Sequence, residues 1–409
     1  MTSLAVTVFI LVYLGMAVGR VPGLAVDRTG VALIGLIVLL ASGDLTLDEA
    51  GRAVDMPTIA LLFALMILSA QFEMSGFYGW VVGRVTNGAQ NPKILLCAVV
   101  VVTGLLSAIL SNDVVVFALT PLICSGLMAQ GINAKPYLVA LAGAANAGSA
   151  ATLIGNPQNI LIGQAGGLDF WSYLLVALPP VILSLAVVYG VVLLTWRRSL
   201  TKGARPATAE TGPQIDRFQL VKGFVAVAAL IILFLTPLPR DLSALAVAGF
   251  LLLSRRMSSR EMIGAADWHL LLLFVCLFGV TAAFAKTGLA QEGLQSLAAY
   301  GLVPDRLAVK APLMLAASNT IGNVPTIILI LSILPQLSDA TLTALALLST
   351  LAGNFLLTGS LCNIIVAERA QSAGARLTFS DFARSGVLMT ILSMAAAIWW
   401  LWLIGTLNL

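Results

Sequence analysis

The sequence is poor in charged residues. Only 10% of its 409 residues are Asp, Glu, Lys or Arg, whereas 59% are hydrophobic. Soluble domains carry about 25% charged residues, so this composition excludes a soluble globular protein. The net charge of +4 is small and gives no basis for a nucleic-acid partner. We therefore expect a polytopic membrane protein whose main partner is the lipid bilayer.

Histidine and cysteine are also scarce. The one histidine and four cysteines show none of the spacings that mark zinc or redox sites. The apolar segments contain no HExxH motif, no Asp-rich cluster and no Ser/Lys pair of the kind that membrane-embedded enzymes use. The sequence thus predicts neither an enzyme nor a resident cofactor.

Long apolar runs make up most of the chain. Segments suited to cross a bilayer lie at 4–20, 23–43, 56–75, 171–195, 219–236, 241–254, 268–286 and 385–407. The runs 94–130 and 307–335 are interrupted by polar residues and are predicted to be re-entrant hairpins. The runs 136–165 and 341–368 are predicted to be broken helices, because irregular backbone is tolerated at membrane depth where it lines a cavity.

The two halves of the chain resemble each other. Asp267–Gly288 follows Asp55–Gly76 by 212 residues with the same length and a similar end, and Gly359–Asn363 corresponds to Gly155–Asn159. Five crossings and one hairpin per half make the second copy run in the opposite direction. The predicted fold is therefore an all-α polytopic membrane protein with two inverted repeats of five transmembrane helices plus one re-entrant hairpin each. The repeats are 1–196 and 218–409, joined by the linker 197–217.

Basic residues are concentrated in and around that linker, from Arg197 to Lys222. The positive-inside rule puts this segment in the cytoplasm and both termini outside. We expect a multi-pass protein of the cell inner membrane.

Four polar motifs interrupt the apolar runs: Ser111–Asp113, Gly155–Asn159, Ser318–Thr326 and Thr358–Asn363. A helix broken at mid-membrane leaves carbonyl groups on one side, which suit cations, and N–H groups on the other, which suit anions. One such break could be a simple kink. Four breaks that pair between two repeats favour a transport site.

Asp113 is the only acidic residue in these motifs. A carboxylate inside a membrane is costly and generally functional, so Asp113 is the predicted carrier of a coupling proton or Na+. The alternative is that it only caps the second hairpin helix. Val324 occupies the corresponding position of the second repeat, so the two halves are not expected to share the same ion chemistry.

These motifs resemble those of the ion transporter superfamily. Ser111-Asn112-Asp113 with Thr120-Pro121, Gly155-Asn156-Pro157-Gln158-Asn159 and Asn323-Val324-Pro325-Thr326 are most similar to its arsenite-permease and citrate-transporter-like branch. The more distant dicarboxylate/sodium symporters share the tripeptide Ser318-Asn319-Thr320. Their Thr-Pro-Pro motif is replaced here by Asn156-Pro157-Gln158-Asn159, which argues against assigning a dicarboxylate as substrate by analogy with them.

The resemblance implies an elevator-type carrier, often dimeric, with a scaffold and a moving domain that holds the hairpins and broken helices. A homodimer is thus the expected assembly. The substrate- and ion-binding residues implied are Ser111, Asn112, Asp113, Thr152, Gly155, Asn156, Asn159, Ser318, Asn319, Asn323, Thr326, Thr358, Gly359 and Asn363.

The sequence therefore predicts a secondary active transporter of a small anion or neutral oxyacid, coupled to H+ or Na+. A bound Na+ is expected near Asn112, Asp113 and Gly155. The alternatives are an arsenite/antimonite efflux permease and a Na+/H+ antiporter, in which Asp113 carries the exchanged proton.

Overall fold

The computed structural model describes residues 2–18, 25–88, 91–200, 215–289, 292, 307–334 and 337–405. All the regular elements in these ranges are helices, as predicted. Six of them, α4, α6, α7, α10, α14 and α19 as bounded below, are long and apolar enough to cross a membrane. The chain is therefore a multi-pass membrane protein. Most of the predicted linker, residues 201–214, and the ends of the segments 307–335 and 385–407 lie outside the described residues.

The first half contains ten helices in the described ranges. They are α1 (Thr2–Val18), α2 (Arg28–Ser42), α3 (Leu47–Ala53), α4 (Met56–Met74), α5 (Phe77–Gly88), α6 (Pro92–Ile109), α7 (Asn112–Ala129), α8 (Lys135–Ser149), α9 (Pro157–Ala165) and α10 (Phe170–Thr195).

The second half contains nine helices in the described ranges. They are α11 (Arg217–Leu233), α12 (Arg240–Leu252), α13 (Ser259–Gly264), α14 (Trp268–Ala285), α15 (Leu307–Thr320), α16 (Asn323–Ile333), α17 (Asp339–Ala352), α18 (Leu361–Ser372) and α19 (Phe379–Leu403). A 3₁₀ turn, Leu357–Gly359, precedes α18.

Aspartates set the start of several helices. The side chain of Asp55 accepts a hydrogen bond from Thr58 N (2.8 Å) and begins α4, and Asp267 accepts one from Leu270 N (2.9 Å) and begins α14. An N-cap carboxylate satisfies one of the backbone N–H groups that a helix start leaves unpaired. The two aspartates are separated by 212 residues, so the two halves begin corresponding helices with the same cap.

Two helices of small and aliphatic residues occupy the centre of the molecule. Every residue of α8 from Pro136 to Ser149 and of α17 from Thr341 to Ala352 is buried. A Cβ atom on Gly148 would lie 2.3 Å from Gly104 O, so α8 and α6 touch backbone to backbone. Small residues permit such close approach. Close packing holds helices together inside a membrane, because the hydrophobic effect does not drive their association there.

Helices of the two halves pack against each other in reciprocal pairs. Helix α2 packs on α14 while α4 packs on α12, and α7 packs on α18 while α16 packs on α9. Apolar side chains on the outer helices, for example Leu175 (70% exposed) and Leu194 (75% exposed) on α10, face outward, as expected for a surface covered by lipid.

The interruptions in the two predicted hairpins are shorter than the polar motifs suggested. Leu110 and Ser111 alone separate α6 from α7, and Ile321 and Gly322 alone separate α15 from α16. Asn112 and Asp113 lie in the first turn of α7, and Asn323 begins α16. Both arms of the first predicted hairpin have 18 residues, so each is long and apolar enough to cross a membrane.

Candidate functional site

The four helices that follow the polar motifs begin at one cavity. The first residues of α7, α9, α16 and α18 line a space of about 50 Å³, large enough for a few water molecules or a small ion. A helix N-terminus presents unpaired N–H groups and a partial positive charge, so the four starts together favour an anion or an electron-rich oxygen. The lining residues are Met16, Arg28, Asn112, Asp113, Pro157, Gln158, Leu270, Leu273, Ile321, Gly322, Asn323, Val324, Pro325, Thr358, Ser360 and Leu361.

Local sequence explains these helix starts. Asn156 caps α9 by accepting a hydrogen bond from Asn159 N (2.9 Å), and Pro157 follows, where its missing N–H costs nothing. Gly322 has φ +97°, a conformation that favours glycine, and lets the chain turn into α16. The backbone N–H of Asn112 donates to Gly155 O (2.9 Å), which ties the tip of the first predicted hairpin to the interruption before α9.

Asp113 faces the cavity from the first turn of α7 and is 7% exposed. Ser111 is the N-cap residue of α7, and its helix start has no side-chain cap. The interpretation of Asp113 as the cap of this helix is therefore wrong. Within the described part of the chain no group donates a hydrogen bond to its carboxylate, and the exposed Asp267, the N-cap residue of α14, acts on it electrostatically. An uncompensated buried carboxylate binds a proton or a cation readily.

A network of amides joins the two halves beside the cavity. Asn146 Oδ1 accepts hydrogen bonds from Asn112 Nδ2 (3.2 Å) and Ser360 Oγ (3.0 Å). Its Nδ2 donates to Asn354 Oδ1 (2.8 Å) and Asn363 Oδ1 (2.9 Å). Asn146 is fully buried. Its side chain therefore forms all of its hydrogen bonds with protein groups. The network fixes α7, α8 and α18 relative to one another.

A second cluster surrounds Thr350 on α17. Asn156 Nδ2 (3.3 Å) and Gln158 Nε2 (3.2 Å) both approach the Thr350 hydroxyl, which donates to Asn159 Oδ1 (3.2 Å). Asn159 Nδ2 in turn donates to Tyr173 Oη (3.1 Å). The cluster thus holds α9 against the centre of the second half.

The two predicted glycines are positions of close approach. A Cβ on Gly155 would lie 2.3 Å from Ser149 O, and a Cβ on Gly359 would lie 2.9 Å from Gly353 O and 2.2 Å from Asn319 Oδ1. In each half the glycine is pressed against the carbonyl of the residue six positions earlier. No other residue type fits at Gly155 without backbone movement.

Three other predicted residues lie deeper in the protein. The Thr152 hydroxyl donates to Ala108 O (2.6 Å), and the Thr326 hydroxyl donates to Gly322 O (2.7 Å). Ser318 is fully buried, and its hydroxyl has no hydrogen-bond partner among the described residues.

Asn319 and Thr358 differ in their surroundings. Asn319 Nδ2 donates to Ala352 O (2.9 Å) and its Oδ1 accepts from Leu356 N (3.2 Å), so this side chain braces the second predicted hairpin. Thr358 is exposed and lines the cavity. Of the predicted site residues, the structure brings Asn112, Asp113, Asn323 and Thr358 to the cavity wall, and a ligand role for the others stays a prediction.

Several cavity and network residues were not predicted from the sequence. Asn146 and Asn354 carry the first hydrogen-bond cluster, and Arg28 lines the cavity. Gln158 lies inside the predicted motif Gly155–Asn159 but was not among the predicted binding residues, and it joins the second cluster and lines the cavity. The sequence does contain one indication of Asn146, an amide within the small-residue helix α8. Polar side chains in such membrane helices form hydrogen bonds to neighbouring helices. Arg28 gave no signal beyond its place at a helix start.

A larger space of about 610 Å³, the vestibule, lies between α14 and the helices α9 and α16. Asp55, Thr281, Lys286 and Ser332 are its polar lining residues. At its edge Lys286 Nζ lies 2.6 Å from Glu49 Oε1, and hydrogen bonds from Lys286 and Thr46 lower the pKa of Glu49 to about 2.

Tyr13 stands between the vestibule and the cavity. Its hydroxyl lies 3.1 Å from Thr281 Oγ1, which lines the vestibule, and donates to Pro325 O (3.4 Å), which lines the cavity. The contact links α1, α14 and α16.

The sequence was compared with known proteins. It is 29% identical to the 46 kDa membrane protein of Mycobacterium leprae over 98% of this chain and 99% of that protein. It is 26% identical to the silicon efflux transporter LSI3 of Oryza sativa subsp. japonica over 95% of this chain and 94% of that protein.

A solved structure shares the fold. The YdaH transporter of Alcanivorax borkumensis superposes with a TM-score of 0.55 and 17% identity, covering 99% of this chain and 97% of that one. The sequence profile described as citrate transporter matches residues 9–341, in agreement with the branch inferred from the four polar motifs. The chain therefore belongs to the citrate transporter family and is a membrane transporter.

Proposed function

We propose that the protein is a secondary active transporter of a small anion or oxyacid, coupled to H+ or Na+. One observation carries the proposal: Asp113, a buried carboxylate without a hydrogen-bond donor among the described residues, faces a cavity bounded by four helix N-termini. The helix starts supply positive potential for an anion, and the carboxylate supplies a place for a cation. A site that holds both in one space is suited to coupled transport.

Amide oxygens extend the cation side of this site. Asn112 Oδ1 and Asn323 Oδ1 have no hydrogen-bond partner among the described residues, and both residues line the cavity with Asp113. Neutral oxygens around a carboxylate are suitable ligands for Na+ and also accept hydrogen bonds from a protonated oxyacid. The Gly155 carbonyl accepts a hydrogen bond from Asn112 N and so holds Asn112 at the cavity. The set fits either coupling ion.

The two halves act, in this proposal, as inverted repeats, each with a re-entrant hairpin, 1–196 and 218–409, joined by the linker 197–217. If the two halves are exchanged, the contact between α2 and α14 becomes the contact between α12 and α4. In the same way, the contact between α7 and α18 becomes the contact between α16 and α9. Gly155 and Gly359 likewise contact equivalent carbonyls. This reciprocity supports a two-fold relationship with the site at the repeat interface.

The moving domain of an elevator mechanism would comprise α6–α10 and α15–α19, and the scaffold would comprise α1–α4 and α11–α14. The cavity and the vestibule both lie along the boundary between these groups, and Tyr13 bridges it. Sliding of the moving domain would expose the site alternately to each side. We further propose the inner membrane as its location, with both termini outside, and a homodimer as its assembly.

A second candidate is efflux of a neutral oxyacid such as arsenite or antimonite, or Na+/H+ antiport through Asp113. One relative, which aligns with this chain over nearly its whole length, is named silicon efflux transporter. This name favours small oxyacids as substrates. The starts of α7, α9, α16 and α18 contribute no Lys or Arg side chain to the cavity, and Arg28 at the start of α2 is the one basic residue among its lining residues.

Reconstituted protein in liposomes with an imposed pH or Na+ gradient tests the proposal. The panel contains citrate, succinate, sulfate, phosphate and arsenite, with a pH-sensitive dye to follow exchange. Gradient-driven anion flux supports the main proposal. Arsenite flux alone, or proton release on Na+ addition, would transfer support to the second candidate, and no flux under any gradient would contradict both.

A further inference from the structure

Two charged side chains line the cavity within the described part of the chain, Asp113 on α7 and Arg28 on α2. Arg28 is the first residue of α2 and is partly buried. In the proposed division Asp113 belongs to the moving domain and Arg28 to the scaffold. The cavity thus has a carboxylate on its moving wall and a cation on its fixed wall.

The guanidinium of Arg28 is held in place but largely unpaired. Its Nε donates to Met16 O (3.1 Å), which fixes the group at the end of α1. The carboxylate of the preceding Asp27 accepts from Gly30 N (2.8 Å). Glu368 acts on Arg28 electrostatically, yet no described carboxylate reaches ion-pair distance of it. The terminal N–H groups of Arg28 therefore have no protein acceptor in the described ranges.

The equivalent arginine of the second half shows the contrast. Arg240 is the first residue of α12 and follows Arg28 by 212 residues, the same separation as Asp55 and Asp267. Its guanidinium donates to Gly163 O and Leu168 O at the end of α9. Arg240 is thus satisfied by backbone carbonyls, while its counterpart faces a cavity.

We propose that Arg28 binds the substrate and that the substrate is therefore an anion, a carboxylate or another oxyanion, rather than a neutral oxyacid. The inference rests on the proposed transport function and narrows its substrate class. An oxyanion offers the acceptors that Arg28 lacks, as a pair of oxygens that two N–H groups of a guanidinium can bind together. The helix starts of the moving domain hold the same anion from the opposite wall.

This arrangement makes the role of Arg28 one-sided. Arg28 stays with the scaffold when the moving domain slides, so it contacts substrate in only one of the two end states. Loss of Arg28 should weaken substrate affinity on the side to which this cavity opens and leave the other side unchanged. A residue that only supported the fold would affect both sides alike.

The first test measures binding without any gradient. Wild type, Arg28→Gln, Arg28→Lys and Arg240→Gln are purified as full chains, and thermal unfolding is followed with citrate, phosphate or arsenous acid as probe. Citrate or phosphate should raise the midpoint of wild type and Arg240→Gln, and should not raise that of Arg28→Gln. Arg28→Lys should respond in part, because an ammonium keeps the charge and loses the bidentate geometry.

The second test measures uptake of the stabilising anion in vesicles of both orientations. Arg28→Gln should raise KM about 10-fold or more in one orientation, the typical effect of losing a charge-assisted hydrogen bond, and leave it unchanged in the other. Stabilisation of wild type by arsenous acid alone, no stabilisation by either anion, an equal response of Arg28→Gln, or an equal KM change in both orientations would overturn the inference. Failure of the proposed function appears separately, as anion binding without gradient-driven flux in wild type.

Discussion

Asn146 Nδ2 lies 2.9 Å from Asn363 Oδ1 and joins α8 of the first half to the first turn of α18 in the second. The same amide group also contacts Asn354, and its oxygen accepts from Asn112 and Ser360. One buried side chain therefore connects the tip of the first predicted hairpin with both ends of the interruption before α18. The position of Asp113, adjacent to Asn112, depends on this connection.

Replacing Asn146 by Ala should lower the free energy of unfolding by about 2 kcal/mol, since hydrogen bonds between membrane helices contribute about 0.6 kcal/mol each and four are lost. The measurement is thermal or denaturant unfolding of the detergent-solubilised protein. Thr103→Val on α6 is the matched control, because the buried Thr103 hydroxyl has no partner among the described residues. Equal stability of Asn146→Ala and the control would contradict the role of the network.

Gly155→Ala should destabilise the protein by about 1–3 kcal/mol, the range expected when a side chain is forced into filled space. Its new Cβ would meet the backbone oxygen Ser149 O at 2.3 Å. Gly190→Ala in α10 is the control, since a Cβ there meets nothing within 4 Å and should be neutral or slightly stabilising. Unfolding midpoints of the two variants give the comparison, and a tolerated Ala at Gly155 would show that the close approach is not required.

Asp113→Asn should abolish gradient-coupled uptake while the protein still folds and inserts. The substitution keeps the size of the side chain and removes the group that takes up a proton or pairs with Na+. Asp169→Asn is a matched control, because Asp169 caps α10 by accepting from Ser172 N (2.7 Å) and Asn caps equally well. Uptake by both variants is followed in liposomes under the same gradient, and intact coupled uptake by Asp113→Asn would refute its role.

The proposed orientation predicts that Arg198 is cytoplasmic and that Asp48, on α3, is outside. Both side chains are exposed, so cysteines introduced there should react with a membrane-impermeant thiol reagent from opposite sides. The background should carry Cys97→Ser, since Cys97 is exposed whereas Cys124, Cys276 and Cys362 are buried. Labelling of both positions from the same side of the membrane would exclude this topology.

The sequence predicted the four interruptions, because each combines glycine, asparagine or proline within an apolar run, and their pairing between two repeats stays a prediction. It misjudged their extent. Asn112, Asp113 and Asn323 are helical, since polar residues are favoured in the first turn of a helix. A polar motif therefore marks where a helix begins as much as where it is absent.

Partners across the interior could not be predicted. Asn146 lies inside a regular helix, and its four partners come from residues up to 217 positions away, which no local pattern reveals. Arg28 likewise resembles an ordinary interfacial arginine in sequence. Only the packing of α1 and α2 against the start of α14 brings it to the cavity.

The side chains that join the halves around Asn146 are all amides or hydroxyls, and none of these groups gains or loses a proton in the physiological range. The framework beside Asp113 therefore keeps the same charge whether that carboxylate is empty or occupied. In the proposed mechanism the group that binds the coupling ion is therefore separate from the hydrogen bonds that hold the two halves together at Asn146. If Asp113 carries a proton, a change in pH should alter transport without breaking this network.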